Sequence, residues 1–328
     1  MAPPSRILLV KTSSLGDVIH NLPVATDIRR ALPNATIDWV CEPPYAPLVA
    51  LHPAVNQVLP LPLRPLKKRW YSLAAWREFR ARRAALAAQT YDLVLDTQGL
   101  AKSAWIAGMA KGPRAGYDAA SAREPLAARH YQFHHAVSRD LHAVVRNRTL
   151  AGAALGYVPN GPADYGLGAA RFRAWPDLAR PYAVFLHATS RADKQWATRN
   201  WIALGQALLS RGLGIVLPWG AAHELVESER IAHALHESSN SRAWVPPPMG
   251  LASVADVLAF SQLVVGVDTG LAHLAVALDR PTVGLYCATD PGLTGLHGGE
   301  RAVNLGGIDA PPEVDAVLAA LARAGGLG

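Results

Sequence analysis

Apolar residues fall along the chain in short runs rich in Val, Ile and Leu, separated by longer amphipathic or Ala-rich stretches. That alternation predicts parallel strands, buried on both faces and joined by crossover helices. In the first half, Arg6 to Val10, Ile37 to Cys41, Asn56 to Leu61 and Tyr91 to Asp96 read as strands. Helices are expected over Asp17 to Ala31, Trp70 to Ala88, Gly99 to Ala110 and His142 to Leu155.

Gly156 to Gly168 (GYVPNGPADYGLG) then concentrate Gly and Pro with few long apolar side chains, the composition of a linker. The alternation restarts beyond it, with strands expected at Tyr182 to His187, Leu213 to Trp219, Ala243 to Val245, Leu263 to Asp268 and Thr282 to Cys287. Pro312 to Ala324 reads as a closing helix. The pattern gives an α/β chain with a first domain over residues 1–160, a second over 161–311 and a final segment over 312–328. In such sheets ligands collect beyond the carboxyl ends of the strands, so chemistry is sought just after each apolar run.

A length of 328 residues, half of them apolar, is enough to fill two cores. The formal charge of +7 predicts attraction to phosphates, whether of a nucleotide, a nucleic acid, an anionic lipid or a phosphorylated sugar. Ile7 to Val10 is too short for the apolar core of a secretory signal, which places the expected protein in the cytoplasm. Leu251 to Val267, the best candidate for a membrane span, is broken by Ser253, Asp256 and Gln262. Cys41 and Cys287 stand far apart with no metal-binding spacing and read as small core residues.

The first strand runs into Lys11-Thr12-Ser13-Ser14-Leu15-Gly16-Asp17, a small polar loop feeding a helix. Such a loop brings a substrate close to backbone amides and sets Asp17 at its edge; Asp17 equally suits a helix cap. After the strand at Tyr182 come His187, Thr189, Ser190 and Lys194, hydroxyls and an ammonium able to neutralise a departing pyrophosphate, or simply a solvated loop. Leu263 to Val267 leads into Asp268-Thr269-Gly270-Leu271-Ala272-His273, a helix N-terminus suited to phosphate oxygens, where Asp268 is also a possible cap and His273 a packing histidine. Glu224, in Pro218-Trp219-Gly220-Ala221-Ala222-His223-Glu224, is placed either to accept ribose hydroxyls or to sit as a first-turn acid. Met249, after Pro246 to Pro248, either packs on an adenine or fills space.

Arg64, Lys67, Lys68 and Arg69 precede Trp70-Tyr71, and Arg77, Arg80, Arg82 and Arg83 follow. This local positive field suits a multiply phosphorylated acceptor or an anionic membrane surface, with the later arginines also readable as a solvated helix face. No zinc-finger spacing or RNP aromatic motif supports a nucleic-acid partner.

KTSSLGDVIHNLP near the start and DTGLAHLA at Asp268 to Ala275 resemble the ADP-heptose:lipopolysaccharide heptosyltransferase family of GT-B glycosyltransferases. DTQGLAKSA at Asp96 to Ala104, AREPLA at Ala122 to Ala127 and HATSRADKQW at His187 to Trp196 look like its heptosyltransferase I branch. Thr189-Ser190 stands where that family often has two threonines, keeping both hydroxyls, and Arg64-Pro65-Leu66 interrupts a basic run that is often denser.

The resemblance implies two Rossmann-like domains with parallel sheets facing a central cleft, and a last helix that packs back on the first domain. It implies inverting, metal-independent transfer of L-glycero-D-manno-heptose from ADP-heptose to Kdo of a Kdo-lipid A precursor, at the inner face of the cytoplasmic membrane, with no cofactor. Asp17 is then the general base. Lys194, Thr189 and Ser190 stabilise the diphosphate, Thr269, Gly270 and Leu271 bind it, Asp268 orients the sugar, Glu224 and Met249 hold ribose and adenine, and His273 lies on the donor side. Ser13, Ser14, Gly16, Arg64, Lys67, Lys68, Arg69 and Arg123 are on the acceptor side. The alternatives are heptosyltransferase II or a related enzyme, a sugar-nucleotide epimerase, and a non-catalytic sugar-nucleotide or nucleic-acid binding protein.

Overall fold

The computed structural model describes residues 4–63, 71–168, 171–176, 178, 180–189, 191–238 and 242–327. The chain divides into two units, Met1–Leu167 and Gly168–Gly328. The first carries strands β1 (Arg6–Val10), β2 (Thr36–Cys41), β3 (Val55–Pro60), β4 (Leu93–Asp96), β5 (Arg114–Tyr117) and β6 (Phe133–His135). They form one parallel sheet in the order β3-β2-β1-β4-β5-β6. Its helices are α1 (Leu15–Ile19), α2 (Leu22–Ala31), α3 (Ala46–Val49), α4 (Leu73–Ala88), α5 (Ala101–Ala107) and α6 (Ala143–Leu155).

The second unit repeats the plan with β7 (Tyr182–Leu186), β8 (Gly214–Val216), β9 (Ala243–Trp244), β10 (Leu263–Val267), β11 (Thr282–Tyr286) and β12 (Ala302–Gly306). Their order is β12-β11-β10-β7-β8-β9, again parallel. Helices α7 (Thr198–Leu209), α8 (Ala222–Ser238), α9 (Leu251–Ala259), α10 (Gly270–Ala277) and α11 (Val314–Arg323) accompany it. Each sheet therefore reverses direction once, between β1 and β4 in the first unit and between β7 and β10 in the second. Dinucleotide-binding folds place their ligands at this switch point.

Strands covered on both faces must be apolar throughout, and Ile7 to Val10, Tyr182 to Leu186 and Leu263 to Val267 are buried at every position. Each Val, Leu or Ile so buried contributes about 1.5–3 kcal/mol. Register sets the level of the loops. Val10 pairs with Val40 on one side and Asp96 on the other, so the segments leaving β1 and β4 start side by side.

Three strands escape the apolar pattern. In β5 and β6 the sequences are RAGY and FHH, and β12 is half exposed along its length. The helix expected over Asp17 to Ala31 is two, because Pro23 cannot donate inside a helix and instead sits in the first turn of α2, behind the N-cap Asn21.

The linker is tied down on the first unit, which moves the boundary from the expected 160/161 to Leu167/Gly168. Tyr165 and Leu167 are buried, and Arg148, paired with Asp27 at 2.6 and 3.0 Å, donates to the Asn160 and Gly161 carbonyls at 3.0 and 3.1 Å. Gly166 has φ +68°, and a Cβ there would lie 2.4 Å from the His52 ring, so only glycine fits. The last helix, expected to return to the first domain, gives its buried face to the second: Val317, Ala320 and Leu321 join the core of the second unit, with α11 packed on α7, β11 and β12. Trp196 Nε1 fixes its approach by donating to the Pro312 carbonyl at 2.8 Å. Both cysteines are free; burial pushes the Cys41 thiol up to about 12. Among the described residues no helix is long and apolar enough to cross a membrane.

Candidate active site

In the first unit the segments after β1 and β4 are knitted together by one glutamine. Gln98 Oε1 accepts from Thr12 N and Oγ1 at 2.7 and 2.8 Å, and its Nε2 donates to Ser13 O at 2.9 Å. Lys11, with 5% of its surface exposed, donates from Nζ to Thr97 O at 2.9 Å and Asn147 Oδ1 at 3.3 Å. Burial lowers its pKa to about 8, although the charges of Asp17 and Asp96 favour the ammonium. Asp96 closes the network by accepting from Gln98 N at 2.8 Å and Tyr131 OH at 2.7 Å; burial nonetheless raises its pKa. Gly99 turns the chain at φ +67°, where a Cβ would touch the Tyr117 ring at 3.0 Å.

This frame presents Ser13, Ser14, Gly16 and Asp17 at the start of α1. Asp17 Oδ2 accepts from Ser14 N at 2.9 Å and Ser14 Oγ at 3.1 Å, so the aspartate does cap its helix. Oδ1 remains with Arg123 Nη1 at 3.4 Å, long for a charge-assisted bond. One oxygen of the carboxylate thus holds the loop while the other faces Arg123. Ser13 Oγ accepts from Lys102 Nζ at 3.4 Å, and the same ammonium lies 3.4 Å from Glu42.

In the second unit Lys194 ends a short 3-10 turn, Ala192–Lys194, after β7, and Asp268 follows β10. Lys194 Nζ donates to Asp268 Oδ2 at 2.6 Å, and Thr289 Oγ1, after β11, donates to the same oxygen at 2.9 Å. Thr269 is the N-cap of α10 without a side-chain cap bond, so the first-turn amides of Gly270 and Leu271 keep the orphan geometry that receives phosphate. His273, one turn on, is buried, and Thr189 is half-buried after β7.

Glu224 Oε2 accepts from Gly220 N at 2.7 Å and Ala221 N at 3.0 Å, which makes it a cap for α8. Its carbonyl and Ser228 Oγ meet His187 Nε2 at 3.4 and 3.3 Å, and burial lowers the pKa of that histidine. Met249 is half-buried on the segment leading to α9. Ser190, Arg64, Lys67, Lys68 and Arg69 lie outside the described residues.

Lys11, Asp96, Gln98, Lys102 and Thr289 carry no role in the sequence reading. Thr289 stands just past an apolar strand, the position that flagged the others; the rest sit in conspicuous segments, but their burial and pairing have no local signature.

Two parallel sheets of Rossmann order, with polar loops gathered at each switch point, have the architecture of a GT-B glycosyltransferase. The model of glycosyltransferase family 9 (heptosyltransferase) matches residues 79–317, and the chain belongs to that family. It is 44% identical over 300 residues to lipopolysaccharide heptosyltransferase 1 of Escherichia coli K12, covering 91% of this chain and 92% of that one. Among solved structures it is similar to E. coli heptosyltransferase WaaC with ADP, with TM-score 0.89, 41% identity and coverage of 96% and 98%. The same holds for WaaC with ADP-2-deoxy-2-fluoro heptose, with TM-score 0.86, 40% identity and coverage of 96% and 98%.

Proposed function

We propose that the protein is a heptosyltransferase I, moving L-glycero-D-manno-heptose from ADP-heptose to Kdo of a Kdo-lipid A precursor with inversion at the anomeric carbon. The observation that carries this reading is the Lys194–Asp268 pair on the loops after β7 and β10, in a chain 41% identical to an E. coli heptosyltransferase solved with ADP. Lys194, with the hydroxyls of Thr189 and Ser190, offsets charge growing on the diphosphate as the bond from the anomeric carbon to its oxygen breaks. The first-turn amides of Gly270 and Leu271 and the Thr269 hydroxyl hold that diphosphate, Asp268 orients the sugar, and His273 supports the donor loop. Glu224 Oε1 takes the ribose and Met249 packs on the adenine. These groups supply the positive charge that the transfer needs, so no metal ion is required.

Asp17 is the general base. A carboxylate is a weak base toward a free alcohol, so it takes the Kdo proton only as the oxygen bonds to an oxocarbenium-like anomeric carbon; position counts for more than basicity. Ser13, Ser14, Gly16 and Arg123, with Arg64, Lys67, Lys68 and Arg69, meet the carboxylates and phosphates of the acceptor. The enzyme works from the cytoplasm, peripherally at the inner face of the membrane that holds this lipid.

The test is incubation with ADP-heptose and purified Kdo-lipid A, followed by product mass. Gain of one heptose is expected, unaffected by a chelator. Gain only on an already heptosylated acceptor would transfer the reading to heptosyltransferase II, and binding of ADP-heptose with no transfer to either acceptor would end it.

A further inference from the structure

Helix α4 is fastened to the first unit by only two buried side chains, Phe79 and Leu86, which enter the core beside Leu59, Tyr91 and Ile106. Next to that narrow anchor runs a stripe at the helical spacing i, i+3, i+4, i+7, i+10: Leu73, Trp76, Arg77, Arg80 and Arg83, every one exposed. Leu73 is 75% and Trp76 40% exposed. The stripe holds three guanidiniums and no carboxylate; Glu78 projects from the opposite side of the helix.

A second exposed tryptophan continues this surface. Trp105, on α5, is 49% exposed and stacks on Phe79 with ring centroids 6.0 Å apart and planes 3° from parallel. Trp76 meets the same phenylalanine edge-on at 6.1 Å. Two half-exposed indoles are thus held in fixed positions by one buried ring, at the margin of an arginine stripe.

We propose that the Leu73–Trp76–Arg77–Arg80–Arg83 stripe, with Trp105 beside it, is the surface by which this protein docks on an anionic lipid bilayer. The inference rests on the lipid-linked acceptor of the function proposed above and assigns the surface that brings the enzyme to it. Indoles settle at the headgroup level, where an apolar body and a polar N–H are both satisfied, and guanidiniums add attraction to acidic headgroups. From Leu73 to Arg83 the stripe is straight and about 15 Å long, a line lying tangent to a plane. A nucleic acid offers the same charge, but its recognition by aromatic residues uses open ring faces along a groove, and here the Trp105 ring is stacked beside buried Phe79.

The test uses the full chain and sedimentation with vesicles of phosphatidylcholine, alone or doped with phosphatidylglycerol, at low and high salt. Wild-type protein is expected to bind the anionic vesicles and to release with salt. Each arginine near such a surface is worth about fivefold in partitioning, so R77E/R80E/R83E is expected to lose at least about a hundredfold, and the milder R77Q/R80Q/R83Q to fall in the same direction. Trp76→Ser should weaken binding at high salt, where the apolar part dominates. All variants should retain heptose transfer to an acceptor stripped of its acyl chains.

Equal vesicle binding by wild type and both triple variants overturns the assignment, as does wild-type indifference to phosphatidylglycerol. Competition by single-stranded RNA that depends on these same arginines, without vesicle binding, replaces it with a nucleic-acid surface. Transfer without vesicle binding sinks this surface and spares the proposed activity; stripe-dependent vesicle binding without transfer does the reverse.

Discussion

Lys194 Nζ lies 2.6 Å from Asp268 Oδ2, so the ammonium proposed to meet the donor diphosphate is held by a carboxylate from the neighbouring loop. Thr289 Oγ1 holds the same oxygen at 2.9 Å, an anchor for the aspartate that does not depend on the lysine. The two residues therefore have separable effects. Lys194→Ala removes the cation, and ADP affinity should fall about tenfold and transfer on the order of a hundredfold. Asp268→Asn removes the competing charge: ADP should bind as tightly as to wild type or more so, while turnover of ADP-heptose drops at least about tenfold. Calorimetric ADP binding beside single-turnover transfer reads both, and parallel losses in the two variants would deny them distinct roles.

Asp17 presents a different separation, because the capping oxygen and the oxygen proposed as base are different atoms of one group. The amide of Asp17→Asn keeps a carbonyl oxygen to accept from Ser14 N, as Oδ2 does at 2.9 Å, so the fold of the loop should survive. Proton acceptance should not. Turnover is expected to fall by about 10²–10⁴, the usual share of general-base catalysis, with ADP binding and thermal midpoint near wild type. Turnover within a few-fold of wild type would remove Asp17 from the chemistry.

Buried parallel strands announce themselves because both faces demand apolar residues, which is why Arg6 to Val10 and Leu263 to Val267 stand out in the sequence. Edge strands make no such demand, and β6 and β12 pass as loops; β5, inside the sheet between β4 and β6, passes too because RAGY holds no long aliphatic side chain. The rule that ligands gather past strand ends points to Asp17, Lys194 and Asp268, and all three lie on the switch-point loops. It could not show that Lys194 and Asp268 touch, since 74 positions separate them. Lys11 and Gln98 were silent for a related reason: a buried lysine and a surface lysine are the same letter. For Asp17 and Glu224, capping and catalytic or binding readings look like alternatives in the sequence; one oxygen of each carboxylate does the capping, so the proposed role falls to the other.

Glu224 makes that division measurable. In Glu224→Gln the amide oxygen is able to replace Oε2 as acceptor for Gly220 N and Ala221 N, now at 2.7 and 3.0 Å, while the second position becomes a donor. Stability should change little, and ADP should bind about tenfold more weakly because a charged acceptor for the ribose hydroxyls is gone. Glu224→Ala should lose that affinity and also about 1 kcal/mol of stability with the cap. Equal ADP affinity in wild type and Glu224→Gln would leave the residue a cap alone.

Lys11 supplies a pH dependence of stability whose direction is the reverse of the usual salt-bridged lysine. Burial lowers its folded pKa to about 8, below that of the unfolded chain. Below pH 8 both states hold the proton, and the folded state bears the full cost of a buried ammonium, on the order of 3 kcal/mol for a shift of that size. As pH rises through 8 toward the ordinary lysine value, the folded state sheds its proton first; the unfolded state then binds more protons, and stability must increase. Lys11→Met lacks this titration, and its lost hydrogen bonds to Thr97 O and Asn147 Oδ1 add an offset that does not vary with pH. Wild type should therefore gain on Lys11→Met by about 2 kcal/mol between pH 7 and pH 9.5 in denaturant titrations, other titrating groups cancelling in the difference. A stability gap that stays constant across that range would mean that Lys11 keeps its proton in the folded protein throughout.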